Sequence, residues 1–412
     1  MLAIRLLNRL IKVGSVRLVD ANGGTHVFRG ADGPGFGLRL HDPLLHHRLF
    51  FNPSLAFGEA YMDGRLTIEG GDIYDALEVF ARNLEALGKS GINGWMGVVY
   101  RMIRLFRQFN PIGRARVNVA HHYDLTEALY DLFLDTDKQY SCGYFRRPET
   151  GLEEAQQAKK RIIAEKLLLE PGMKVLDIGC GWGGLAFHLA REKGVHVTGL
   201  TLSTRQLNAA RRRAAAQGLE NRVQFHLRDY REETGGFDRI VSVGMFEHVG
   251  ISHYRRYFSQ VRDLLTPTGV ALIHTIGRID GPGFTDPWID KYIFPGGYIP
   301  ALSEVMPAVE KSGLWTTDVE VLRLHYADTI RHWRGRFAVN RDRARALYDE
   351  RFCRMWEYYL AVSEVTFRHL ATCVFQIQLA KRQDSVPMTR DYMYGPGDRL
   401  GHAVRGHGSR AA

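Results

Sequence analysis

Residues 175–184 read "VLDIGCGWGG": an apolar run carries Asp177, and Gly179, Gly181 and Gly183 follow at alternate positions. Glycine reaches backbone conformations that other residues avoid, so such a triplet makes a tight turn that a ligand can approach closely. The flanks support a strand–turn–helix reading. Upstream, "QAKKRIIAEKLLL" (157–169) has helical apolar spacing and stops at Pro171-Gly172, and downstream "LAFHLARE" (185–192) resumes a helix.

The alternation continues outward. Strand "HVTGLTL" (196–202) is followed by helix "STRQLNAARRRAAAQ" (203–217) and by strands "VQFHLRD" (223–229) and "DRIVSVG" (238–244). Helix "YRRYFSQVRDLL" (254–265) and strand "GVALIHTI" (269–276) complete the run. Strands separated by helices predict βαβ crossovers and a doubly wound, mostly parallel sheet, in the α/β class. Ligands of such sheets bind at the carboxyl ends of strands, which places Asp177, Thr201, Asp229, Glu247 and His274 along one edge. A dinucleotide would need an acid about twenty residues after the glycines to hold its ribose, and "GLTLS" (199–203) offers none. S-adenosylmethionine is the better candidate: it has no pyrophosphate, and the loop would cradle a methionine zwitterion and an adenosine. The glycines alone leave a purely structural turn as the alternative.

Composition bounds the rest. The 412 residues are 45% hydrophobic and 24% charged, with a formal charge of +10. The sign favours an anionic partner, nucleic acid or an acidic lipid surface. Without an aromatic RNA-binding signature or a long Lys/Arg block, nucleic acid is the weaker of the two. Cys142, Cys180, Cys353 and Cys373 form no C-x-x-C pair, which suits a reducing cytoplasm. No run of eighteen apolar residues occurs. The basic, amphipathic N-terminus reads as a first helix packing on its own domain, with a surface-lying helix as the alternative. "SVRLVDANGGTHVFRG" (15–30) signals a hairpin around Asn22-Gly23-Gly24, and "IYDALEVFARNLEAL" (73–87) a helix. The chain therefore divides into an α+β unit over 1–110, a larger unit over 111–390 and a flexible tail over 391–412. The arginine-rich stretch "YRMIRLFRQFN" (100–110) leads from the first to the second.

Two apolar runs, "IVSVGMFEHVG" (240–250) and "HTIG" (274–277), each end in polar residues. Glu247 and His274 are a base, a metal site or satisfied polar groups; on the residues alone the last weighs most. No metal is expected, because no H-E-x-x-H or histidine cluster exists and the rings of His121-His122 point apart. Cys142 shows no neighbouring base that would make it a nucleophile.

The chain resembles the cyclopropane-fatty-acyl-phospholipid synthases, whose mycolic-acid relatives share the methyltransferase part. The motifs are "HHYDLTEALYDLFLD" (121–135), "YSCGYF" (140–145), "PGMKVLDIGCGWGGLA" (171–186), "GLTLS", "FDRIVSVGMFEHVG" (237–250), "HTIG", "DPWIDKYIFPGGYIP" (286–300) and "RMWEYYL" (354–360). They run from about 119 to 380, and over 1–110 the likeness is looser. The resemblance implies a class I S-adenosylmethionine-dependent methyltransferase fold, Rossmann-like, preceded by a smaller α+β domain. It implies methylene addition from S-adenosylmethionine to a cis double bond of an unsaturated phospholipid. Bound bicarbonate would be the base, caged by Cys142, Glu247, His274, Ile276 and Tyr359. His274, the Tyr359 hydroxyl and the N–H groups of Cys142 and Ile276 would donate to that anion. Glu247 would orient it or hold the His274 tautomer. Cofactor contacts carry over to Tyr140, Ser141, Asp177, Gly179, Gly181, Gly183, Thr201, Leu202, Gln206, Asp229 and Tyr230. A cytoplasmic protein bound peripherally to an anionic membrane is implied, as is a homodimer. A lipid methyltransferase leaving a methyl branch, a small-molecule N-methyltransferase and a non-catalytic binding module are the alternatives. The full cage argues against the last two.

Overall fold

The computed structural model describes residues 2–86 and 125–394. The first unit holds strands β1 (Val13–Val19), β2 (Thr25–Arg29), β3 (Ala31–Leu40) and β4 (Leu66–Glu69), in the order β2-β1-β3-β4. The β1–β2 hairpin turns where the sequence predicts. Asp20 Oδ1 accepts from the N–H groups of Asn22 and Gly24, both at 2.9 Å, and Gly23 takes the φ of 85° that favours glycine. The helix Leu2–Leu10 buries Leu7 in its own unit, the first of the two readings above. The helix Ile73–Ala86 is pinned to β1 by buried Asn83, whose Oδ1 accepts from Lys12 and Val13 N–H and whose Nδ2 donates to Val13 O.

The second unit is built on β5 (Lys174–Ile178), β6 (His196–Thr201), β7 (Val223–Leu227), β8 (Phe237–Val243), β9 (Leu265–Arg278), β10 (Trp315–Leu322) and β11 (Thr372–Ala380). Their order is β10-β11-β9-β8-β5-β6-β7. The pairs among β5 to β9 are parallel, as the alternation predicts, and strand order reverses at β5, between β6 and β8. β11 inserts antiparallel between β9 and β10. The helices Gly184–Lys193 and Thr204–Ala216 form the crossovers from β5 to β6 and from β6 to β7.

The helix Leu152–Lys166 packs on the face of the sheet beside Gly184–Lys193, and a helical layer sharing the core of the first unit holds His325–Val339, Glu350–His369 and the short Pro287–Tyr292. The last belongs to the aromatic insertion. Its Trp288 is fully buried against the first unit, donating from Nε1 to Met62 Sδ at 3.2 Å and packing on Tyr358. The chain expected as a flexible tail is packed through its described part, with Met393 buried and the Tyr392 hydroxyl bonded to Gln378. Residues 100–110, the boundary at 110, His121-His122 and the tail beyond Tyr394 lie outside the described residues.

Candidate active site

A cleft opens where strand order reverses, as expected for a doubly wound sheet. It encloses about 1240 Å³ with its open mouth, between the ends of β5, β6 and β8 and the loop 138–141. Gly179 has φ 89° and Gly181 φ 54°; a side chain on Gly179 would press on Met245, whereas Gly181 faces open space. Asp135 shapes the covering loop by accepting from Gln139 N–H (2.7 Å) and Asp137 N–H (3.2 Å). Asp137 is held in turn by Lys160 and Arg213, each at 2.5 Å. From the helix Leu152–Lys166, Gln156 donates to Ser141 O (2.9 Å) and Lys159 to Gln139 Oε1 (2.7 Å) and Ser141 Oγ (2.8 Å). Spaced i, i+3 and i+4, Gln156, Lys159 and Lys160 share one helix face, and that face holds the loop.

All expected cofactor residues except Gly183 line the cleft: Tyr140, Ser141, Asp177, Gly179, Gly181, Thr201, Leu202, Gln206, Asp229 and Tyr230. Gly183 serves packing instead, since a Cβ there would lie 2.6 Å from Phe225. Thr201 Oγ1 donates to Gln206 Oε1 (2.9 Å), and Asp229 is gripped by Arg231 (2.8 and 2.6 Å). Asp177 Oδ2 is buried without a partner, and burial raises this carboxyl to about 7. An orphaned acid on the floor, open space at Gly181 and a polar wall at Thr201 and Gln206 fit a cationic zwitterion joined to a nucleoside.

The five cage residues do not line this cleft; they lie behind it. The Tyr359 hydroxyl meets the Tyr140 hydroxyl at 2.7 Å. The Tyr359 ring packs on Phe294 (6.0 Å), which packs on His248 of the cleft wall (6.1 Å). The neighbouring Tyr358 faces the first unit, against Phe57, Tyr61 and Trp288. Burial pushes the Tyr359 hydroxyl up to about 12, so it stays protonated. Burial likewise pushes the Cys142 thiol far above its ordinary range, and its Sγ turns to Gly143 O, which disfavours a thiolate.

Two expectations are corrected. The Ile276 N–H, expected to donate to an anion, donates to Glu247 Oε1 at 2.6 Å, because the end of β9 runs within reach of that carboxyl. Glu247 Oε2 is left buried without a partner, and burial raises the acid to about 7. Nor does Glu247 set the His274 tautomer. His274 is the register partner of Gln376 on β11, and Gln376 Nε2 meets its Nδ1 at 3.1 Å. The amide orientation follows from the network: Gln376 Oε1 accepts from Lys166 Nζ (2.8 Å), and Lys166 also pairs with Glu320. Nδ1 of His274 is therefore an acceptor, and Nε2 carries the proton. Burial drives this imidazole down to about 3, so it is neutral.

Sequence reasoning missed Lys159, Lys166 and Gln376. The lysines carried a signal: they fall in helical register with Leu152, Ala155 and Ile163, on a face otherwise apolar.

Residues 112–377 match the family described as mycolic acid cyclopropane synthetase. The chain belongs to that family. Residues 6–90 match a separate domain of unknown function. Among similar proteins, a probable fatty acid methyltransferase of Pseudomonas putida is 37% identical, over 88% of this chain and 92% of its own. The cyclopropane-fatty-acyl-phospholipid synthase of Escherichia coli K12 is 38% identical, over 84% and 87%. The crystal structure of the mycolic acid cyclopropane synthase CmaA1, in complex with SAH and CTAB, is 34% identical with a TM-score of 0.62. It covers 66% of this chain and 100% of its own. The fold is that of the class I S-adenosylmethionine-dependent methyltransferases.

Proposed function

We propose that this protein, an S-adenosylmethionine-dependent methyltransferase, adds a methylene group across a cis double bond of an unsaturated phospholipid acyl chain and closes a cyclopropane ring. The observation that carries the reading is the pair behind the cleft: a neutral His274 with its proton on Nε2, and a buried Glu247 with one oxygen unpartnered. When bound, S-adenosylmethionine supplies an electrophilic methyl group. An alkene is a weak nucleophile, so the cleft must align it and exclude water. Phe294, Tyr359 and Tyr140 offer π faces to positive charge developing on the acyl chain. Ring closure then needs a proton acceptor. His274 Nε2–H and Glu247 Oε2, with the Tyr359 hydroxyl, would hold a bicarbonate ion, which supplies a base there.

The lipid partner is an anionic membrane surface. Among the described residues no helix is long and apolar enough to cross a membrane. The short helix Leu45–Phe51 exposes Phe51 (76%), and Leu44 stands exposed just before it (62%), beside Arg48 in a chain of formal charge +10.

The test incubates the protein with S-adenosylmethionine, bicarbonate and vesicles of cis-unsaturated phospholipid, then examines the released fatty acids by mass spectrometry. A cyclopropane product that depends on bicarbonate and disappears in Glu247→Ala is expected. A methyl-branched product would overturn the ring-closing step. Methylation of an added amine with untouched lipid would overturn the substrate class.

A further inference from the structure

The helix Leu152–Lys166 buries three lysines. Lys160 pairs with Asp137 at 2.5 Å, and Lys166 pairs with Glu320. Lys159, only 1% exposed, has no such partner: its Nζ donates to two neutral acceptors, Gln139 Oε1 and Ser141 Oγ. An ammonium has three protons to donate, and a buried one without a counter-ion is costly to keep. Lys159 also lines the cleft, on the floor that carries the unpartnered Oδ2 of Asp177. Asp135 and Asp137 act on Lys159 from a distance, and Lys159 and Asp177 act on each other, but neither makes a direct ion pair. The cleft thus presents one cation and one acid open to the two ends of an amino-acid zwitterion.

We propose that Lys159 receives the α-carboxylate of the cofactor's amino-acid end, opposite an ammonium received by Asp177. The assignment rests on the reading that this cleft takes S-adenosylmethionine. It favours the carboxylate over bicarbonate because Lys159, Gln139, Ser141 and Asp177 all line the cleft, and the cage residues do not. Burial lowers Lys159 to about 8, with Asp135 and Asp137 acting against that fall, so the ammonium form still dominates at neutral pH. The buried cation makes the cleft a reader of amino-acid ends as well as of adenosine.

Calorimetric binding tests this with three ligands: S-adenosylhomocysteine, its analogue lacking only the carboxylate, and 5′-methylthioadenosine, which lacks the whole amino-acid end. The wild type should lose about tenfold or more in affinity when the carboxylate is removed. Lys159→Met should weaken S-adenosylhomocysteine by about the same factor and leave methylthioadenosine within about twofold. Equal weakening of all ligands by Lys159→Met would make the lysine a structural prop of the loop and overturn the proposal. Unchanged S-adenosylhomocysteine binding in Lys159→Met with a raised bicarbonate requirement would assign Lys159 to the cage and overturn it as well. The wild-type comparison alone decides against the proposal, even where the variant does not fold, if removal of the carboxylate costs nothing. Failure of the wild type to bind any of the three would instead refute the cofactor reading itself.

Discussion

Glu247 sits where a carboxylate is expensive: burial raises its pKa to about 7 against an ordinary 4.5, although the Ile276 N–H favours the charged form. The native state therefore keeps a proton that the unfolded chain has released between those values, and stability must fall as pH rises through that window. Below about 4.5 both states are protonated and the penalty vanishes; above 7 it is complete. Glu247→Gln keeps the shape and removes the titration. Its thermal unfolding should lose less stability than the wild type between pH 4.5 and 8, by up to about 3 kcal/mol for one group. Identical pH profiles would show that another acid carries the effect, Asp177 being the nearest in kind. At this scale the sequence was generous with residues that end strands or line the glycine turn. For Lys159 it offered only burial, through its place on an apolar helix face, because the role depends on which loop folds over the helix that bears it.

Within the sheet, β11 supplies what β9 needs. Its Gln376 stands opposite His274 in the antiparallel register and is itself held by Lys166, so three elements agree on one imidazole tautomer. Gln376→Leu should release that tautomer and lower kcat by about ten- to a hundredfold, with the KM for S-adenosylmethionine little changed. Gln376→Glu should be worse, because a carboxylate would draw the proton to Nδ1. Nitrogen NMR of the labelled imidazole would distinguish the two forms, and an Nε2–H signal persisting in Gln376→Glu would refute the relay. The strands from β5 to β9 were legible because each is an apolar run bounded by turn residues. β11 was not: Gln376 and Gln378 interrupt "TCVFQIQLA", and they are tolerated only because Lys166 and Tyr392 satisfy them in the interior.

Over the whole molecule, the first unit and the methyltransferase unit meet along the helix Glu350–His369. On it Tyr358 faces the first unit and its neighbour Tyr359 faces the Tyr140 side of the cleft. The hairpin of the first unit could be read locally. Its docking could not, since it joins residues nearly three hundred positions apart. If Phe51 and its neighbour Phe50 enter lipid, the double variant Phe50→Ser/Phe51→Ser should bind anionic vesicles several-fold more weakly in flotation assays. Activity on detergent-dispersed lipid should be preserved. Unchanged flotation would remove this helix from the docking surface.

Trp288 of the aromatic insertion lies so close to the first unit that any side chain at Gly58 would meet it, with a Cβ only 2.4 Å from the indole. A key cut to one lock leaves no room for a swinging arm. The span from the end proposed to rest on lipid to the floor of the cleft is then a constant of the molecule, and a constant span works as a ruler. Acyl chains drawn up along it would present one depth to the reacting methyl, so position along the chain, rather than unsaturation alone, would decide which double bonds are changed.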